Sequence, residues 1–151
     1  MMWYSRVSQD ISLLPDFIAH YEMELEDARK ECSAKGLIER NLAALPGITE
    51  QRFGNLQDIE AVLRFLEIQQ RVVQQKHYKK YLENYGRSLV SRDAERYAAA
   101  EQEVVDMDLL INQVALLRNQ YLGIIKALES KNWTLSNIAK LRIAGFEDAT
   151  I

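Results

Sequence analysis

A chain of 151 residues has room for one domain with a modest core, and its 48% hydrophobic and 27% charged residues exclude a disordered or fibrous protein. Six Gly and two Pro leave few turn formers, which points to long helices. The net charge of −3 excludes an even coat of positive charge, and a single cysteine, Cys32, excludes an internal disulfide and points to a reducing, cytoplasmic setting.

Met1 to Asp10 show no basic segment followed by an apolar run and a small-residue cleavage site, so no signal peptide is expected. Pro15 suits the first turn of a helix, and Phe17, Ile18, Tyr21, Leu25 and Ala28 recur at helical spacing until Gly36 supplies a stop. Leu37 to Ala44 is expected as a short second helix, ended by a bend at Pro46-Gly47. From Thr49 the chain can re-enter helix, with an interruption possible at Gly54-Asn55. From Leu56 to about Asn84 no Gly or Pro intervenes, which allows a helix of about 40 Å. Its apolar line reads Ile59, Leu63, Leu66, Gln70, Val73, His77, Tyr81, and Tyr85-Gly86 closes it.

Ser91 is a candidate N-cap for the next helix. There Tyr97, Ala100, Val104, Met107, Ile111, Val114, Arg118, Tyr121, Ile125 and Leu128 alternate by three and four. Heptad spacing of this kind predicts an antiparallel hairpin with the 56–84 helix. Leu109, Leu110, Leu116, Leu117, Leu122 and Ile124 widen the apolar surface beyond one seam, so helix one or a second subunit is expected to cover the excess. The polar residues Asn112, Gln113, Arg118, Asn119 and Gln120 inside the most apolar stretch argue against a membrane span. Trp133 and Thr134 are expected to open a last short helix with Leu135, Ile138 and Leu141 on one face. Fold class is therefore all-α: residues 1–151 form a single helical domain, a long antiparallel hairpin with short flanking helices, assembled as an oligomer. Leu109, Leu116, Leu117, Trp133, Leu135, Ile138 and Leu141 are the candidate interface.

No metal or cofactor is expected, because His20, His77 and Cys32 match no zinc spacing and there is no phosphate loop, nucleophile elbow, HExxH or EF-hand. Without those motifs the chain is expected not to be an enzyme. His77 continues an apolar line and reads as a packed or register-setting histidine. Glu22, Glu24, Glu26, Asp27 and Glu31 read as a solvated acidic face.

Charge is uneven along the chain. Residues 64–96 carry eight Lys/Arg against four Asp/Glu, while 1–63 carry six against eleven. Lys76, Lys79, Lys80 and Arg87, interleaved with Tyr78, Tyr81 and Tyr85, combine phosphate-neutralising cations with rings that can stack on unpaired bases. The same spacing also suits packed tyrosines beside solvating lysines, and the residues alone leave both open.

Residues 78–145 resemble the UvsY-type recombination mediators of tailed bacteriophages. The matching features are Tyr81 and Tyr85-Gly86 closing a basic helix, Asp108 in a long apolar helix, then Gly123, Ala127, Ser130, Trp133, Leu135, Ile138, Leu141, Arg142 and Ala144-Gly145. Residues 1–55 do not align with that family. The resemblance implies a helical homo-oligomer of six or seven subunits in the bacterial host cytoplasm, binding single-stranded DNA. It also implies two protein partners, a RecA-like recombinase that the mediator loads and the single-strand-binding protein that is displaced. The family's basic DNA-binding positions carry over to Lys79 and Lys80, with Lys76, Arg87, Tyr81 and Tyr85 as neighbours. The alternative is a helical phage assembly or scaffolding protein whose apolar faces serve only to oligomerise.

Overall fold

A computed structural model describes residues 2–84 and 90–145. The fold is all-α. Its elements are α1 (Trp3–Gln9), a single 3-10 turn (Ile11–Leu13), α2 (Leu14–Glu31), α3 (Ile38–Asn84), α4 (Ser91–Ala100) and α5 (Gln102–Ile143). Among the described residues none forms a strand, and no helix is long and apolar enough to cross a membrane. They pack as two compact units, 2–59 with 117–145, and 60–116.

In the first unit, α2 starts as its sequence predicts, with Pro15 in the first turn, and buries Phe17, Ile18, Tyr21, Leu25 and Ala28. It stops at Glu31, before Gly36, which takes a left-handed φ of 88° in the following turn. Lys131 meets the exposed end of α2, its Nζ donating to the Glu31 carbonyl at 2.8 Å. A cation there satisfies an orphan acceptor and complements the negative end of the helix dipole. Tyr121 Oη donates to the Tyr21 carbonyl at 2.8 Å, so α2 runs parallel to this part of α5.

Two buried charges join α2 to α3. Arg52 is only 2% exposed. Its Nε and Nη2 donate to Glu31 at 2.8 and 2.6 Å, and its Nη1 donates to Glu24 at 2.8 Å. Glu24 and Glu31 therefore leave the acidic face that their spacing suggested; an arginine held by two carboxylates is raised in pKa, first by the Glu31 hydrogen bonds. Asp58, also buried, accepts from the backbone N–H of Trp3 and Tyr4 at 2.9 and 2.8 Å. Met2 offers α1 no side-chain cap, so a carboxylate from α3 supplies one. Trp3, Phe17, His20, Tyr21 and Tyr121 form a run of ring contacts with centroids 5.0–6.4 Å apart, which places His20 in aromatic packing.

The helix break expected at Pro46-Gly47 is absent: α3 continues from Ile38 through Pro46, Gly47 and Gly54. Ile38, Leu45, Arg52, Leu56 and Ile59 are all buried on one face, and Pro46 is exposed. Packing on both sides of the proline outweighs a lost hydrogen bond costing about 3 kcal/mol. The final short helix expected from Trp133 is likewise the last part of α5. Lys131, just before that expected start, continues the buried line of Leu117, Tyr121, Ile124, Leu128 and Leu135. Arg118 and Ile125 were expected in that line; the seam shifts to their neighbours Leu117 and Ile124.

In the second unit the hairpin register is fixed by polar pairs. Gln70 Nε2 donates to Asp108, His77 Nε2 lies 2.9 Å from Glu103, and Tyr81 Oη donates to Glu101. Rising numbers on α3 meet falling numbers on α5 and on the bend just before it, so α3 and α5 run antiparallel. The expected line Ile59 to Tyr81 keeps its phase: Leu63 and Leu66 are buried, Gln70 and His77 reach α5, and Tyr81 reaches Glu101 in the bend before it. The helix expected to run on from Ser91 is broken at Glu101, whose ψ of 137° separates α4 from α5. Tyr97, expected in the seam, is consequently exposed on α4. Val90, not Ser91, stands at the N-cap, and the Ser91 hydroxyl meets that of Tyr78 at 2.7 Å.

Candidate nucleic-acid interface

Lys76, Lys79, Lys80 and Glu83 recur at i, i+3, i+4 and i+7 near the end of α3 and share a solvent face. His77, which meets α5, and Tyr81, which meets Glu101, lie on the other side. All three lysines are exposed. Lys79 Nζ stands 4.0 Å from Glu83, with side chains 76% and 64% exposed. Such a pair contributes at most a few tenths of a kcal/mol and yields readily to a phosphate. Lys80 Nζ lies 4.0 Å from Glu101 and 5.6 Å from the centre of the Tyr81 ring. Lys76 makes no ion pair with the described residues.

The tyrosines have more structural work than the sequence suggested. Tyr81 donates its hydroxyl to Glu101, and this hydrogen bond, with Lys80 and His77 nearby, holds the Glu101 carboxyl below its ordinary range. The Tyr81 ring also lies against Tyr97, centroids 5.5 Å apart and tilted by 31°. Tyr78 ties α3 to the start of α4. Tyr97, missed as a surface residue, is the more open ring; the signal was the run of small residues Ala98, Ala99 and Ala100 beside it. Tyr85 and Arg87 lie outside the described residues.

The candidate interface residues divide. Leu117 and Leu135 are core residues of the first unit, 3% and 0% exposed. Ile138 is half-buried, while Trp133 and Leu141 of that unit are exposed. In the second unit, Leu109 and Leu116 are exposed and stand seven residues apart on α5, on one face. The polar residues that sequence reasoning passed over, Arg52, Asp58 and Lys131, serve the core. Arg52 was visible as a charge in the seven-residue phase of Ile38, Leu45 and Ile59.

Among the described residues no three His, Cys, Asp or Glu side chains gather as a metal site. Burial pushes the Cys32 thiol up in pKa, away from the reactive thiolate. Comparison with family models, with curated proteins and with solved structures finds no match.

Proposed function

We propose that the chain is a mediator-like protein that binds single-stranded DNA and helps a RecA-like recombinase replace the single-strand-binding protein. The observation that carries this reading is the exposed face of Lys76, Lys79 and Lys80, in the only basic segment of an acidic chain, with Lys79 and Lys80 at the positions the UvsY-type resemblance assigns to DNA. The lysines act as point charges that displace counterions from phosphates and read no sequence. No bond is made or broken, so the protein acts by binding alone. Self-association multiplies a modest patch: once one subunit holds a strand, the next meets it at high effective concentration.

A test is the Lys79→Ala, Lys80→Ala double variant, measured for binding to a labelled oligonucleotide with helicity as control. Loss of binding without loss of helicity supports the reading, and unchanged binding removes it. One observation favours the second reading, a helical assembly protein: Leu109 and Leu116 are 63% and 59% exposed on one face of α5, apolar surface that self-association would cover. That reading expects a defined oligomer with no affinity for DNA.

A further inference from the structure

Arg71, Gln74, Gln75 and Tyr78 recur at i, i+3, i+4 and i+7, so they form one stripe of α3. Helix α4 lies along it, tied by Tyr78 to Ser91 and close-packed through the fully buried Ala94 and Ala98. Between the two helices is an open cleft of about 360 Å³ lined by Arg71, Gln74, Gln75, Tyr78, Glu95 and Ala98. The side chains of Arg71, Gln74, Gln75 and Glu95 make no hydrogen bond or ion pair with the described residues. A guanidinium, two carboxamides and a carboxylate therefore converge with their hydrogen-bonding capacity unspent.

That set complements the edge of a planar heterocycle. Each carboxamide offers a donor and an acceptor side by side, and a carboxylate only accepts. Glu95 thus favours a base edge bearing an amino group, as cytosine and adenine do, over the carbonyl of thymine. Arg71 and Lys79 stand one turn to either side of Gln75, each about 6 Å along the axis. They are placed to meet the phosphates that precede and follow a base seated between them.

We infer that the α3–α4 cleft seats one unstacked, amino-bearing nucleobase of a bound single strand. Glu95 accepts from its exocyclic amino group, Gln74 and Gln75 meet its ring edge, and Arg71 and Lys79 hold the adjoining phosphates. This deepens the DNA-binding reading and rests on it.

The experiment compares oligo(dC) with oligo(dT) of equal length on the full chain at one salt concentration. Both are pyrimidine strands, and they differ in an amino group against a carbonyl, in ring N3 as acceptor against donor, and in the thymine methyl. The expected result is binding of oligo(dC) about fivefold tighter or more, the low end for one recognised base edge. Glu95→Gln, an exposed position on α4, should abolish the preference, so that the ratio of oligo(dC) to oligo(dT) affinity falls to about one, with helicity as it was. Equal binding of the two by the wild type, or a preference that survives Glu95→Gln, overturns the cleft and leaves the lysine face standing. Binding of neither overturns both.

Discussion

The Asp58 carboxylate on α3 accepts the hydroxyl hydrogen of Tyr21 on α2 at 2.5 Å, with both side chains buried. The same carboxylate caps α1 through Trp3 and Tyr4, so one acidic side chain orders three helices. Replacing Asp58 by Ala strands three donors, each bonded to a charged acceptor, and should cost about 4 kcal/mol in urea unfolding. Tyr21→Phe removes one of the three and should cost about 2 kcal/mol. A loss below 1 kcal/mol for Asp58→Ala would show that α1 is not held by this contact.

Tyr21 and Tyr121 are both pushed above the ordinary tyrosine pKa of 10, chiefly by burial, and Tyr21 also by Asp58. A group with a raised folded-state pKa contributes fully below its unfolded pKa. Here the unfolded chain ionises first as pH rises past 10, so stability falls, by about 1.4 kcal/mol per pH unit for each tyrosine. The double Tyr21→Phe, Tyr121→Phe variant should be less stable at neutral pH, with a flatter alkaline limb in denaturant titrations. An equally steep limb would place the titration elsewhere.

Arg52→Ala leaves Glu24 and Glu31 facing each other without their cation and should cost about 3–5 kcal/mol. Arg52→Lys should recover only part of that, because an ammonium cannot reproduce the bidentate bond to Glu31. Equal stability of the lysine variant and the wild type, read from chemical denaturation, would reduce the arginine to a point charge.

Pro46 sits on the exposed side of a continuous helix. Pro46→Ala restores the missing N–H but frees the unfolded chain, so the net expectation is a gain of about 1–2 kcal/mol. A loss of stability on thermal unfolding would mean that the proline bends α3 into a shape the core requires.

Pro46 also marks where the sequence stopped being readable. Helix α2 and the line from Ile59 to Tyr81 were legible because their apolar residues repeat with an unbroken helical period. Pro46-Gly47 carries local chemistry that ends helices in isolation, and Trp133-Thr134 was expected to open a new one. Both lie inside long helices whose burial continues on either side, and burial has no local signature. The break at Glu101 was hidden for the opposite reason, since the three-and-four pattern runs straight through it. For the candidate site, the spacing of Lys76, Lys79 and Lys80 showed that they share a face. That the hydroxyls of Tyr78 and Tyr81 are bound to Ser91 and Glu101 depends on contacts 13 and 20 residues away.

Leu116 and Leu117 are adjacent yet 59% and 3% exposed, which separates assembly from folding. Leu117→Glu should unfold the first unit. Leu116→Glu, alone or with Leu109→Glu, should leave the melting temperature within about 2 °C and lower the particle mass by light scattering. Unchanged mass would show that this face of α5 does not mediate association.

Binding of single-stranded DNA by the lysine face of α3 is read out by titrating the full chain into a labelled oligonucleotide across a salt series. The expected result is binding at about 50 mM salt that weakens steeply as salt rises, with a log–log slope reduced by about one for each of Lys76, Lys79 and Lys80 changed to Ala. No binding at about 50 mM salt, or a slope indifferent to all three substitutions, would contradict it.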